Sequence, residues 1–202
     1  MQFEKNMSLY LQQWQEWLNN LPTIVNQIAD HWQLSNLQAL PNLSYNHVLR
    51  CVQNEKPVIL KICFSKKELQ SEVNALQVFA GHGCINLLDH NIELGAILLQ
   101  DVTPGRSLKT LFPNQDKQAV KIIGKIIREL QHAHVPKHGE FQNISDLLKT
   151  LERNWNLPPR YIEKARNLSK HLLATTTKQV LLHSDLHQDK VLLCGQAQWI
   201  TI

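Results

Sequence analysis

The octapeptide His183-Ser-Asp-Leu-His-Gln-Asp-Lys190 follows an apolar run, Val180-Leu-Leu182, near the end of the 202-residue sequence. An aspartate on a tight loop directly after an apolar strand, here Asp185, can accept a proton from a substrate hydroxyl. The flanking His183 and His187 either support that loop or simply pack and hydrogen-bond within it. A metal hydrolase with these three side chains as ligands is a weaker alternative, because no further ligand cluster stands at a characteristic spacing.

A lysine stands in the middle of a second informative run, Pro57-Val-Ile-Leu-Lys-Ile-Cys-Phe64. Lys61 is either an exposed edge residue of a strand or a phosphate ligand. Glu72 follows on a predicted helix, and Glu68 lies one turn earlier; either is also compatible with a solvated helix charge. Kinases use a lysine on the third strand to hold the α- and β-phosphates and pair it with a glutamate of the next helix. The order and spacing here fit that arrangement.

The first hundred residues combine helical and strand patterns. Apolar spacing predicts two helices at the start, one ending before Pro22 and one over 23–32. A hairpin is predicted next, then a helix, then two more strands around a turn. The predicted ranges of these later elements are Ser44–Val52, Pro57–Phe64, Lys66–Phe79, Ile85–Leu88 and Ala96–Gln100.

The segment Asp101-Val-Thr-Pro-Gly-Arg-Ser107 contains a Pro-Gly pair and marks a boundary. The pattern beyond it is mostly helical, with a final hairpin. This order predicts an α+β fold. We expect an N-terminal lobe over 1–100, and a hinge with a partial helical lobe over 101–202. The predicted elements after the boundary are helices over 116–134, 144–155 and 160–173, and strands over 191–193 and 199–202.

Composition excludes several classes of protein. Hydrophobic residues make up 43% and charged residues 19%, typical of a folded chain. The net charge of +4 is scattered, which favours an ordinary surface over a nucleic-acid partner. The four cysteines form no CxxC pair, and neither a signal peptide nor a membrane-length apolar run is present. We therefore expect a cytoplasmic protein without a membrane or nucleic-acid partner.

These motifs resemble the aminoglycoside phosphotransferases, and the streptomycin-type members in particular, whose loop reads His-Gly-Asp-Leu-His. The resemblance covers nearly the whole chain and implies a protein-kinase-like, two-lobed fold. It implies that Asp185 is the catalytic base, with His183 and His187 supporting the loop. It also implies that Lys61 and Glu72 bind the nucleotide, together with Ser44 and Asn46 of a covering loop and backbone groups of Gln100 to Val102.

The resemblance implies ATP and magnesium as cofactors, but two departures argue against the metal. Lys190 occupies a position where the family has a metal ligand, and an ammonium group is a cationic donor that cannot ligate magnesium. In the family a metal-binding aspartate follows the strand that corresponds to Trp199–Ile202, and the sequence stops there. We expect a truncated helical lobe and no metal-binding residue.

Two functions follow from the resemblance. The first is ATP-dependent phosphotransfer to a hydroxyl of a small cationic sugar such as an aminoglycoside antibiotic. The protein would be inactive in this reaction if the truncation removes the metal. The second is a non-catalytic pseudokinase or remnant that binds nucleotide or a protein partner. Lys190 and the end at Ile202 both favour reduced or absent catalysis.

Overall fold

The computed structural model describes residues 2–41, 46–134 and 141–202. Two compact units form: Met1–His134 together with Leu182–Ile202, and Val135–Leu181. The predicted lobe boundary after Gln100 falls inside the first unit, and the division into two lobes stays a prediction. No helix in the described part of the chain is long and apolar enough to span a bilayer.

The first unit contains three helices and eight strands within the described ranges. They are α1 (Gln2–Trp32), β1 (Ser35–Ala39), β2 (Asn46–Gln53), β3 (Lys56–Cys63), α2 (Lys66–Phe79), β4 (Leu87–Asn91), β5 (Ala96–Gln100), β6 (Pro104–Ser107), α3 (Asp116–Leu130), β7 (Val191–Cys194) and β8 (Gln198–Thr201). Short 3-10 helices cover Leu108–Leu111 and Gln188–Lys190. The mixture confirms the predicted α+β class.

A five-stranded antiparallel sheet, in the order β1-β2-β3-β5-β4, carries α1 on one face. The core beneath the helix combines Ile28 and Trp32 of α1 with Leu60 and Ile62 of β3, all nearly or fully buried. Side chains alternate between the two faces of a strand. Because Leu60 and Ile62 point into this core, Lys61 between them points to the opposite face.

The helix α2 begins at a cap and packs with one apolar stripe. The Ser65 hydroxyl accepts a hydrogen bond from the Glu68 N–H at 3.3 Å, which satisfies a free donor of the first turn. Its buried residues are Leu69, Val73, Leu76 and Phe79. Glu72 precedes Val73 and lies at the border of this stripe, partly exposed.

A three-stranded sheet, in the order β6-β7-β8, follows the larger one. Thr201 at the end of β8 is fully buried and connects to the segment after α2. Its N–H donates to the Gly83 carbonyl, and its carbonyl accepts from the Ile85 N–H, both at 2.8 Å. These bonds fix the last strand beside the segment that leads into β4.

The second unit contains α4 (Ile144–Leu148), a 3-10 turn (Lys149–Glu152) and α5 (Pro159–Thr175). Asn143 caps α4 by accepting from the Ser145 N–H at 2.9 Å. Within residues 141–181 no side chain is fully buried.

The predicted pair of N-terminal helices is wrong, because α1 is one continuous helix with Pro22 inside it. A proline costs a helix one hydrogen bond and usually interrupts it. Here Trp17 and Leu21 before Pro22, and Ile24 and Val25 after it, pack against the same core. Tertiary packing on both sides of the proline therefore holds the helix together.

Other boundaries also differ from the predictions. The apolar strand predicted before the loop, over 180–182, is absent, since 176–187 contain neither helix nor strand although all are described. The strand predicted at 85–88 is β4 (Leu87–Asn91), α3 ends at Leu130, and the helix predicted to reach Trp155 ends at Leu148. β1 and β6 were not predicted, because pairing with β2 and β7 stabilises segments that lack a strand pattern.

Three of the four free cysteines, Cys51, Cys63 and Cys84, are buried. Burial raises the pKa of Cys51 to about 11 and the pKa values of Cys63 and Cys84 to about 12. These thiols are therefore protonated and pack as small apolar groups.

Gly105 and Gly195 both have positive φ but differ in the space available for a side chain, and the comparison tests how tightly Gly105 packs against Val102. Gly105 has φ +69, and an added Cβ would lie 2.6 Å from the Val102 carbonyl oxygen; Gly195 has φ +62 with nothing within 4 Å. We expect Gly195→Ala to lower the free energy of unfolding by about 1–2 kcal/mol, the cost of a left-handed alanine. Gly105→Ala should cost about 3 kcal/mol or more, because steric overpacking adds to that strain. Urea unfolding measures both, and equal losses would contradict the clash.

Candidate nucleotide and catalytic-loop site

An ion pair joins β3 to α2 on the sheet face opposite the α1 core. The Lys61 ammonium lies 2.7 Å from both carboxylate oxygens of Glu72. Their side chains are 21% and 33% exposed, so the pair is neither fully solvated nor sealed in the core. Of the two candidate partners, the structure places Glu72, not Glu68, against the lysine.

An apolar strip lies on the same sheet face as Lys61. Val48 of β2 is the cross-strand partner of Lys61, and Ile59 lies two residues before Lys61 in β3. Both are only partly buried, unlike Leu60 and Ile62 on the other face. Sequence reasoning did not single out Val48 or Ile59, although the period-two alternation around Lys61 indicates them.

The segment Gln100–Val102 leaves β5 beside this face. Gln100 is held by Asn86: its N–H donates to the Asn86 carbonyl at 3.0 Å, and its side-chain oxygen accepts from the Asn86 amide at 2.8 Å. Arg50 forms an ion pair with the nearly buried Asp101 carboxylate at 2.9 Å. Val102 is 4% exposed, and within the described residues its backbone bonds to no other backbone group. Gln100 and Asp101 are thus each bonded to a neighbouring segment.

The predicted covering loop is described only in part. Ser44 lies outside the described residues. Asn46 is the first residue of β2, is partly exposed, and pairs with Cys63 at the end of β3. Asn46 is therefore two residues from Val48 and lies at the same end of the sheet as Lys61.

The predicted catalytic loop contains neither helix nor strand over 183–187, up to the 3-10 turn Gln188–Lys190. Ser184 adopts a left-handed conformation with φ 69, which favours glycine. The Asp185 carboxylate is 71% exposed and lies 3.9 Å from His187 Nε2. The backbone bend at Ser184 presents Asp185 to solvent, where a substrate hydroxyl can reach it.

His183 is held by the end of β8. Its Nε2 lies 3.0 Å from the Thr201 hydroxyl and 3.2 Å from the Ile202 carbonyl. The Thr201 hydroxyl donates its proton to the Lys190 carbonyl at 3.0 Å. Nε2 must therefore carry a hydrogen and donate, which leaves Nδ1 unprotonated; this atom is buried without a partner within the described residues.

Burial lowers the pKa of His183, and the positive charge of Lys190 adds to that effect. The Ile202 carbonyl and the charges of Asp185 and Glu72 act in the opposite direction and do not prevail. A proton added at Nδ1 would have no acceptor, which agrees with the direction of the shift. His183 is thus a neutral structural group, and the charges of Glu72, Asp185 and Lys190 all act on it.

His187 and Asp189 bind to their own loop. His187 Nδ1 accepts a hydrogen bond from the Asp189 N–H at 3.3 Å and so caps the 3-10 turn. The Asp189 carboxylate forms an ion pair with Lys109 at 3.2 Å. The Asp189 carboxylate is therefore held by Lys109, and it also lies 3.8 Å from His187 Nδ1.

The residues present do not fit a magnesium site. Magnesium requires oxygen ligands, and Lys190 stands at the position where the resemblance implies one. Within residues 2–41, 46–134 and 141–202, no group of three histidine, cysteine or acidic side chains is placed to hold a metal ion.

A lysine-glutamate pair on an antiparallel sheet, followed by a connecting segment and a loop aspartate, is the arrangement of the protein-kinase-like fold. The solved structure of aminoglycoside phosphotransferase APH(4)-Ia shares this fold, with a TM-score of 0.64 at 11% sequence identity. The similarity covers 90% of this chain and 70% of that one.

The sequence matches the family of aminoglycoside/hydroxyurea antibiotic resistance kinases over residues 31–202, and the chain belongs to that family. It is 23% identical to streptomycin 6-kinase of Streptomyces glaucescens over 93% of its own length. It is 24% identical to hydroxyurea phosphotransferase of Kitasatospora aureofaciens, again over 93%. The chain spans 63% of the first relative and 57% of the second.

The lowered pKa of His183 predicts a pH-dependent stability. Below its ordinary pKa of 6.5 the unfolded chain binds a proton that the folded protein does not. The free energy of unfolding should therefore be highest above pH 6.5 and fall as the pH drops towards the folded pKa. His47, whose pKa burial also lowers, contributes with the same sign. Urea unfolding between pH 7.5 and 5 should show a smaller decrease for His183→Asn, which keeps an N–H donor; identical pH profiles would contradict the assignment.

Proposed function

We propose that this chain binds ATP and transfers its γ-phosphoryl group to a hydroxyl of a small cationic sugar of the aminoglycoside class. The observation that carries the proposal is the ion pair between Lys61 and Glu72, at 2.7 Å on the open face of the sheet. A lysine held by a carboxylate keeps its ammonium in one place, where it can contact phosphate oxygens. Family membership supports the same reaction class.

The nucleotide would lie along the Lys61 face of the sheet. Lys61 would contact the α- and β-phosphates, and Glu72 would orient it. The adenine ring would pack on Val48 and Ile59, with its polar edge directed at the backbone of Gln100 to Val102. Asn46, and Ser44 in the loop before it, would lie over the phosphates. The rigid support of Gln100 by Asn86 favours this position for the base.

Asp185 would act as the general base. Its exposed carboxylate would accept the proton of the substrate hydroxyl while the hydroxyl oxygen forms a bond to the γ-phosphorus. The bond from the γ-phosphorus to the bridging oxygen breaks, and ADP leaves with that electron pair. His183, neutral and bonded to the end of β8, would hold the loop in place, and His187 would do so through its cap on the 3-10 turn. No step is assigned to magnesium, because Lys190 stands at its expected ligand position.

The names of relatives support the class of acceptor. Streptomycin 6-kinase and hydroxyurea phosphotransferase are named for small antibiotic-like acceptors. We place streptomycin-like aminoglycosides first, since two of the relatives are streptomycin 6-kinases. We also propose the lobe boundary after Gln100 and a reducing, cytoplasmic location, which the free buried cysteines favour.

A second candidate function is nucleotide binding without catalysis. Lys190 favours it, because a cation replaces a residue that would normally hold the metal for phosphoryl transfer. The two candidates share the nucleotide site and differ in whether Asp185 has a reaction to catalyse. Binding and transfer must therefore be measured separately.

The nucleotide site is tested by calorimetric titration with ATP. Lys61→Ala should weaken binding about 10- to 100-fold, the size of a lost charge-assisted hydrogen bond. Lys56→Ala is the matched control, because this exposed lysine lies at the opposite end of the same strand. If both variants bind ATP like the parent protein, the site is wrong.

The role of Asp185 is tested by phosphotransfer from radiolabelled ATP to streptomycin. Asp185→Asn should lower the rate at least about 100-fold, the contribution of a general base. Its affinity for ATP should stay within roughly twofold of the parent value, because an exposed residue that does not contact phosphate contributes little to binding. A parent protein that binds ATP but phosphorylates none of a panel of aminoglycosides would favour the second candidate.

A further inference from the structure

Arg50 lies on the face of the five-stranded sheet opposite the α1 core. Its neighbours Leu49 and Cys51 are buried in that core, so strand alternation directs Arg50 to the other face. Arg50 is the cross-strand partner of Ile59 and follows Val48 by two residues. It therefore adjoins the two apolar residues on which the base of a nucleotide is proposed to pack.

Arg50 forms an ion pair with Asp101, in the middle of the segment Gln100–Val102. Its Nη2 donates to Asp101 Oδ1 at 2.9 Å, and the second carboxylate oxygen accepts from the Thr103 hydroxyl at 3.4 Å. Because β3 lies between β2 and β5 in the sheet, the two side chains together bridge over β3. The pair thus connects β2 to the segment that is proposed to bind the polar edge of the base.

The two partners differ in exposure. The Asp101 side chain is 5% exposed and the Arg50 side chain is 46% exposed. A carboxylate that has lost most of its hydration is costly without a cationic partner. The segment is therefore most stable in the position where Asp101 reaches Arg50. An ordinary surface pair, such as Lys66 with Glu93 at 3.4 Å, exerts no such constraint because both side chains are exposed.

The backbone of Val102 makes the position of this segment important for binding. Among the described residues, its N–H and carbonyl bond to no other backbone group, and its side chain is 4% exposed. The proposed function directs these backbone groups at the base. A ligand binds more tightly to groups that are already held in the bound position, because less ordering is lost on binding.

We infer that Arg50 is a positioning residue for the nucleotide base: through its ion pair with Asp101 it holds the backbone of Gln100–Val102 where the base binds. The inference rests on the proposed function, since the base must lie at this segment, and it holds with or without catalysis. The effect of Arg50 passes through Asp101 and not through the phosphates. Arg50 therefore acts on the affinity for the nucleoside part of the ligand.

The test is calorimetric titration of the full chain with adenosine and with ATP. Arg50→Met keeps an apolar stem without the charge and leaves the Asp101 carboxylate unpaired. It should weaken binding of both ligands by the same factor, about 3- to 10-fold, the size expected when a group must be ordered on binding. Lys61→Ala is the contrasting variant. It should weaken ATP binding and leave adenosine binding unchanged, because adenosine has no phosphate.

Conservative variants separate positioning from folding. Arg50→Lys keeps a cation and should bind both ligands within about threefold of the parent protein, because a single hydrogen bond joins the pair. Asp101→Asn, which keeps the shape of the side chain, should weaken both by about threefold. Added to Arg50→Met it should cause no further loss, because the two residues act as one unit. Lys66→Met, which breaks the exposed pair with Glu93, is the matched control and should bind like the parent protein.

The outcomes separate the inference from the proposed function. Equal losses for adenosine and ATP in Arg50→Met, with no further loss in the double variant, support it. An unchanged adenosine affinity in the folded variants overturns the inference alone, and so does a loss confined to ATP, which would make Arg50 a phosphate ligand. A parent protein that binds ATP but not adenosine also overturns it.

Failure of the folded parent protein to bind either ligand overturns the nucleotide site and the inference together. Thermal unfolding shows whether each variant is folded. If Arg50→Met does not fold, the adenosine affinity of Asp101→Asn decides, and a value equal to that of the parent protein overturns the inference.

Discussion

The position of Lys61 depends on the packing of its two neighbours. Leu60 and Ile62 are fully buried beneath α1, so strand alternation directs Lys61 to the opposite face. The cap at Ser65 and the buried stripe of α2 then bring Glu72 to the same place. The ion pair is a consequence of core packing on two sides of one strand. Its contribution to stability is small, since partly exposed pairs contribute little, and its value lies in holding a cation in one position.

Thr201 holds the loop that carries Asp185 in a comparable way. It is fully buried, its backbone bonds to Gly83 and Ile85, and its hydroxyl lies between Lys190 and His183. One residue thus links the segment after α2 to the loop that carries Asp185. A buried threonine whose polar groups are all bonded holds these segments at fixed distances. The loop needs no strand of its own before Asp185, because β8 supports it from the side.

Membership of a kinase family is compatible with the proposed departure from that family's metal site. The Lys61 and Glu72 pair needs only the sheet and α2, whereas a metal site needs several oxygen ligands on the second sheet and its loop. A lysine at position 190 affects the oxygen ligands that a metal site would need, but it leaves the Lys61 and Glu72 pair intact. The proposed nucleotide face therefore does not depend on which residue stands at position 190.

Much of the site was predictable from local pattern: the β3 lysine in an apolar run, the bounds of α2, and the loop around Asp185 all follow from residue type and spacing. The continuous α1 through Pro22, the strands β1 and β6, and the missing strand before His183 were not, because each depends on a partner distant in sequence. The choice of Glu72 over Glu68 also required the tertiary structure. By itself the sequence determined which residues are candidates for the chemistry, since period and composition are local. Only the packing of α1, α2 and β8 decided which of them meet, because contacts across the sheet are set by burial and not by spacing.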